Sequence, residues 1–140
     1  MDAPVKRLTL PARPESIAAF CEFVRAGALA AGIAASELEK LDLVLEEILI
    51  NVARYAYVPD TGKAEVAYFA EKQGKLRVEI ADSGRFFNPL EVDPPDLSRG
   101  LAERQIGGLG VFLVKNLVES IAYSRKDYRN VLSFTFPSGG

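Results

Sequence analysis

Apolar positions along this chain fall into two rhythms, one of period two and one near 3.6, and their order predicts an α/β arrangement. Val5 to Leu10 reads as a first strand. Pro14 then stands where a helix opens, and Ile17, Phe20, Cys21 and Val24 follow at helical spacing until Gly32 ends the segment. Ser36 with Glu39 has the pattern of a capping box, and Leu41, Val44, Leu45, Ile48 and Val52 lay one apolar stripe along a second helix expected to reach about Tyr57. Leu43 and Ile50 fall on the opposite side of that helix and need another cover. Pro59, Asp60 and Gly62 break the pattern, after which Ala64 to Ala70 and Leu76 to Ala81 read as two strands joined at Gln73-Gly74. Residues 83–108 carry Pro89, Pro94, Pro95 and several glycines, the mark of a long loop that serves as a lid or binding loop. Val111 to Val118 is an apolar helix, and Ile121 to Ser124 with Val131 to Phe136 form a closing hairpin around Asp127 to Asn130.

A length of 140 residues with 49% apolar content suits one domain with its own core. A formal net charge of -2 argues against a duplex-DNA or anionic-membrane surface, since both need concentrated Lys and Arg. The single cysteine, Cys21, excludes an internal disulfide and a cysteine-cluster metal site, and reads as a small core residue. With no signal pattern in MDAPVKRLTL and no apolar run of spanning length, the expected location is the cytoplasm. The absence of histidine removes Ser-His-Asp chemistry, most zinc sites and an internal phosphohistidine relay, so any general base here is a carboxylate. A P-loop is excluded as well: Gly62-Lys63 is followed by Ala64, and Tyr57 stands where the upstream glycine belongs.

Three short segments carry the candidate chemistry. Glu47 and Asn51, four apart, lie about 40° from each other around the helix axis and share the flank beside the apolar stripe, whereas Glu46 projects to the other flank. Alone, such a pair is an ordinary polar boundary. Asp82 follows a half-buried strand and Gly84 permits a sharp turn, so the carboxylate is either an acceptor for an exocyclic amine or a strand-terminal turn residue. Phe86 and Phe87 either wall a ring-binding slot or anchor the loop. Gly107, Gly108 and Gly110 precede an apolar helix, where backbone amides unshielded by side chains suit phosphate oxygens.

In this order and spacing the segments resemble the GHKL superfamily, the Bergerat ATP-binding fold, and within it the bacterial anti-sigma-factor serine/threonine kinases. Glu47-Ile-Leu-Ile-Asn51 is similar to the N box. Asp82-Ser-Gly84-Arg-Phe86-Phe-Asn-Pro89 is similar to the first glycine box in its anti-sigma form, and Gly107-Gly-Leu-Gly110-Val-Phe-Leu113 to the second, with the tail Arg129-Asn130-Val131-Leu132 also like that subgroup. The resemblance implies a two-layer α/β sandwich: a mixed, mostly antiparallel sheet of about five strands covered on one face by about three helices, in a single domain over 1–140 with an ATP lid at about 88–107. It implies Asn51 as magnesium ligand and Glu47 as catalytic base. It also implies Asp82 as adenine reader with Gly84 and Phe86 at the adenine pocket, and Gly108 and Gly110 as phosphate contacts within a nucleotide-binding run that includes Gly107 and Leu109. Asn130 falls where many relatives carry an adenine-binding threonine, Tyr55 where the N box often has a histidine, and Phe86 where the wider superfamily has a second glycine. Arg99 and Arg104 in the lid are available to neutralise phosphate charge or to stand as solvated loop cations.

The expected function is therefore a Mg-ATP-dependent protein kinase that binds a sigma factor and phosphorylates a small STAS-type anti-anti-sigma protein, in a homodimer and without contacts to nucleic acid or membrane. An ATP-binding partner-switch module without phosphotransfer is the alternative, and a non-nucleotide interaction domain is the third reading. One Asn oxygen plus nucleotide phosphates suffices for a magnesium ion that keeps several waters, and phosphoryl transfer asks a protein mainly for positioning, charge stabilisation and one base.

Overall fold

The computed structural model describes residues 4–57, 61–91 and 108–138, with side chains from residue 113 onward in the last stretch. Strand β1 (Lys6–Pro11) runs through a 3-10 turn at Pro14–Ser16 into helix α1 (Ile17–Ala30). The helix ends in a Schellman arrangement: Ile33 N–H bonds to Ala28 C=O and Gly32 N–H to Leu29 C=O, with Gly32 at φ +88°. Helix α2 (Leu38–Tyr55), strands β2 (Lys63–Lys72) and β3 (Lys75–Asp82), helix α3 (Gly108–Leu117) and strands β4 (Ser120–Lys126) and β5 (Arg129–Phe136) complete the order.

Several boundaries differ from the sequence expectation, most of them strand ends by one or two residues. Ser36 lies inside a 3-10 turn, Ala35–Glu37, and Glu37 at the N-cap makes no side-chain cap bond, so there is no capping box; the Glu37 N–H is satisfied instead by Ala34 C=O. Helix α2 stops at Tyr55 because the chain then turns to place the Tyr57 hydroxyl between Lys63 C=O and Ser83 N–H. Helix α3 begins at Gly108, three residues before the apolar run that betrayed it.

The strands form one sheet in the order β1-β2-β3-β5-β4, and every pairing is antiparallel. The register sorts the side chains into rows across the sheet. On the helix side one row is Leu8, Val66, Ile80 and Leu132, and the next is Tyr68, Val78 and Phe134. With Leu76 and Phe136 beyond them, these rows meet Phe20 and Val24 of α1 and Leu41, Leu45, Ile48 and Val52 of α2 in a single core. The last row at the other end is different: Leu10 and Ala64 continue it, but Asp82 and Asn130 interrupt it, and Arg125 pairs with Asn130 on the outer strand. The core-facing side of the sheet thus turns polar in one row, and there the site lies.

Candidate functional site

The apolar stripe of α2 faces the sheet, which draws the adjacent flank of the helix inward with it. Asn51 is fully buried by this packing and Glu47, one turn earlier, is half-buried. Asn51 Nδ2 donates to Glu47 Oε1 at 3.2 Å. That bond fixes which way the amide faces, and Asn51 Oδ1 is left buried with no hydrogen-bond partner among the described residues. An unsatisfied buried acceptor costs about 1–3 kcal/mol, so its retention points to a ligand that completes it. A hard divalent cation is a suitable ligand, because it prefers neutral or anionic oxygen. Among the described residues no cluster of three acids, cysteines or histidines offers another place for one.

Asp82 ends β3 in the polar row and is 4% exposed. Its Oδ1 accepts from Gly84 N–H and from Asn130 Nδ2, both at 2.9 Å. With these donors on one oxygen, Oδ2 is the atom available to an incoming amine. Burial pushes the Asp82 carboxyl above the usual carboxylate range, opposed in turn by the Asn130 and Gly84 hydrogen bonds and by Arg125 and Arg129.

Asn130 is the hub of this end. Besides Asp82 it donates to Arg85 C=O at 2.8 Å, and its Oδ1 accepts from the Tyr123 hydroxyl at 2.6 Å and from Phe87 N–H at 3.2 Å. Two donors and two lone pairs are the whole capacity of an amide. Asn130 therefore holds Asp82 and the 85–87 loop in place, with no bonding capacity left over for a base.

The loop is also tied to the far end of α2. Arg85 N–H bonds to Ala56 C=O at 2.9 Å and Arg85 Nε to Tyr55 C=O at 2.7 Å, so one residue satisfies two carbonyls at the helix C-terminus with a cation where the helix dipole favours it. Gly84 has to be glycine for the same contact, since a Cβ there would sit 2.3 Å from Ala56 O. Arg125 Nη1 donates to Gly84 C=O at 2.7 Å from the other side. Phe87 packs against Tyr55 at 5.2 Å between ring centroids, so Tyr55 supports the loop. Phe86 is 66% exposed and meets Tyr123 edge-on at 5.9 Å, an anchor rather than the wall of an enclosed slot.

The structure thus gathers the expected residues into two linked groups, Glu47 with Asn51 and Asp82 with Gly84 and Asn130. A cleft of about 530 Å³ reaches Asp82 from the β1-β2-β3 side, lined also by Tyr57, Lys63, Glu65 and Arg129. Gly108, Leu109 and Gly110 form the first turn of α3, and Gly107, Arg99, Arg104 and the lid from residue 92 lie outside the described residues. Arg85, Tyr57, Tyr123 and Arg125 were not singled out from sequence. Only the register that places Arg125 beside Asn130, and the end of α2 beside β3, reveals them.

A buried acid at a strand end and a buried Asn oxygen without a partner among the described residues, on a helix covering an antiparallel sheet, mark an α/β sandwich with a polar site at one end of its core. The profile of the histidine kinase-like ATPase domain matches residues 10–136, and the chain belongs to that family. It is 30% identical over 95 residues to the serine/threonine-protein kinase BtrW of Bordetella bronchiseptica, covering 68% of this chain and 67% of that protein. It is 29% identical over 119 residues to the serine-protein kinase RsbW of Listeria monocytogenes, covering 81% and 75%. Against the serine-protein kinase RsbW of Bacillus mycoides the identity is 25% over 129 residues, covering 89% and 80%.

Proposed function

We propose that this protein is a Mg-ATP-dependent serine/threonine kinase of the anti-sigma type, which binds a sigma factor and phosphorylates a small STAS-type anti-anti-sigma protein. The observation that carries the reading is the Glu47–Asn51 pair: a carboxylate held one turn from a buried amide oxygen that has no partner among the described residues. Relatives that bear the name serine-protein kinase support it. In this reading Asp82 Oδ2 accepts from the exocyclic amine of adenine, Gly84 shapes that end, Phe86 anchors the loop beside it, and Asn130 positions Asp82. The run Gly107, Gly108, Leu109 and Gly110, the last three of them in the first turn of α3, offers backbone N–H groups to the phosphates, and Arg104 of a lid over 88–107 adds positive charge. Asn51 Oδ1 would hold a magnesium ion, which would supply charge neutralisation on the triphosphate. Glu47 accepts the proton of the acceptor hydroxyl as its oxygen bonds to the γ-phosphorus and ADP departs. New phosphate charge on the acceptor then breaks its interface by repulsion and desolvation, and the partners exchange.

One domain over 1–140, a homodimer and a cytoplasmic location complete the proposal. Among the described residues no helix is long and apolar enough to cross a membrane. The test is incubation with Mg-ATP and a set of STAS-type acceptors, read as phosphoserine or phosphothreonine by intact mass. Glu47→Gln is expected to lower transfer by about 10²- to 10⁴-fold while ATP affinity stays within about threefold. Tight ATP binding without transfer to any acceptor would instead support the partner-switch module that holds nucleotide without chemistry.

A further inference from the structure

Helix α2 packs between α1 and α3, and its outward side is the floor of a groove of about 680 Å³. Leu43 and Ile50, which the apolar stripe of α2 leaves out, lie on that floor, and Leu113 and Leu117 of α3 form one wall. Leu43 is 54% exposed and Leu113 46%, so the apolar seam is open to solvent. Leu43 and Ile50 are seven residues apart, two turns or about 10 Å along the axis, a spacing that matches the repeat of side chains on a second helix laid in the groove.

The rim is acidic. Glu22 of α1 and Asp42, Glu46 and Glu47 of α2 line the groove against one cation among the described residues, Arg25, which is already bound to Asp42 Oδ2 at 3.0 Å. The other oxygen, Asp42 Oδ1, is buried and has no hydrogen-bond partner among the described residues. Cys21 in the α1 wall reports the local field: its thiol is pushed up to about 12, first by burial and then by Asp42 and Glu46. An orphaned carboxylate oxygen in a negative, apolar-floored groove asks for a cationic donor carried on an apolar ridge. The outer helices α1 and α2 of a second copy are poorly suited to supply it, because α1 offers Arg25 beside Glu22, and α2 carries four acids against Lys40 and Arg54.

We propose that the α1–α2–α3 groove docks an amphipathic helix of a partner protein, apolar along the edge that meets Leu43, Ile50 and Leu113 and flanked by Lys or Arg that reach Asp42, Glu22 and Glu46. This goes beyond the kinase reading and does not depend on phosphotransfer. Glu47 is itself one of the residues that line the groove, so a docked partner lies next to the carboxylate that the kinase reading makes the base.

The test uses methyl-labelled protein and two amphipathic peptides of about 18 residues, built of Leu with Lys or of Leu with Glu, long enough to form helix on binding. The Leu-Lys peptide is expected to shift the Leu43, Ile50 and Leu113 methyl signals saturably, and the Leu-Glu peptide to leave them in place. Glu22→Lys with Glu46→Lys is expected to weaken the Leu-Lys peptide by at least about tenfold, while Glu71→Lys with Glu79→Lys, an equal charge change on exposed positions of β2 and β3, leaves it within about threefold. Equal loss in the two pairs would reduce the effect to net charge and overturn the proposal. Shifts confined to other methyls, or groove shifts that follow protein concentration without peptide and so mark a second copy as occupant, would also overturn it. Mg-ATP affinity measured on the same variants is expected to be unchanged, so failure of the groove and failure of the nucleotide site give different results.

Discussion

Replacing Asn130 with alanine tests the hub most directly, because the structure assigns all four of its hydrogen bonds to protein. The bond to the Asp82 carboxylate involves a charged acceptor and is worth about 1.5–3 kcal/mol, and the three others, whose partners regain some water on truncation, about 0.5–1 kcal/mol each. A loss of about 3–6 kcal/mol follows, below the middle of the 5–15 kcal/mol available to a domain, so the variant is expected to fold. The loss has a pH signature. Burial already raises the Asp82 carboxyl above its usual value, and the Asn130 donor is the first influence that pulls it back. An aspartate with a raised pKa costs stability when charged, and that cost vanishes as pH falls through its folded value toward the ordinary one. Removing Asn130 raises the carboxyl further, so the destabilisation of Asn130→Ala is expected to be largest near neutral pH and to shrink in acid. Urea unfolding at about pH 7 and pH 4.5 measures both values. A double-mutant cycle with Asp82→Asn is expected to show coupling of about 1–3 kcal/mol in stability. A loss below about 1 kcal/mol, or one that is equal at the two pH values and additive with Asp82→Asn, would refute the assignment of Asn130 as the residue that holds Asp82.

Asp82→Asn alone removes a buried charge while its Oδ1 still accepts from Gly84 and Asn130, so the fold is expected to hold or gain stability. An amide NH₂ then replaces the free acceptor, and ATP affinity measured by calorimetry is expected to fall about 10- to 100-fold. Asn51→Leu abolishes the orphaned buried acceptor; thermal unfolding without ligand is expected to stay level or rise, while magnesium-dependent ATP binding falls by at least about tenfold, and a lowered melting temperature with intact binding would contradict that role. Gly84→Ala forces a Cβ to 2.3 Å from Ala56 O and is expected to cost about 1–3 kcal/mol in denaturant titration, with ATP affinity lost in parallel because the loop is displaced from α2.

The periodicity of the chain disclosed the three described α-helices and five described strands, since each buries an apolar stripe or face that leaves its mark in residue spacing. The helix ends were less legible. Ser36 and Glu39 match a capping box in letters, yet a 3-10 turn that satisfies its own backbone takes precedence over a side-chain cap. Glu47 and Asn51 were legible as a pair because both lie on one helix, whereas the company Asn130 keeps was not: its partners come from β3, β4 and the loop after Asp82, brought together by register alone. Arg85 was hidden for the same reason, as nothing local marks it as the cap of a helix that ended thirty residues earlier. Leu43 and Ile50 did signal a missing cover, and the groove shows where it is needed.

The turn at Gln73–Gly74 divides the site between two stretches of chain: Glu47 and Asn51 come before it, Asp82, Gly84, Asn130 and the first turn of α3 after it. A nucleotide that touches both stretches acts as a cross-link between them. Its binding then adds to the folding free energy by mass action, by about 2.7 kcal/mol at a hundred times its dissociation constant. Lifetime against proteolysis would in that case follow the nucleotide supply, and the abundance of such a protein becomes a reading of the energy state of its surroundings.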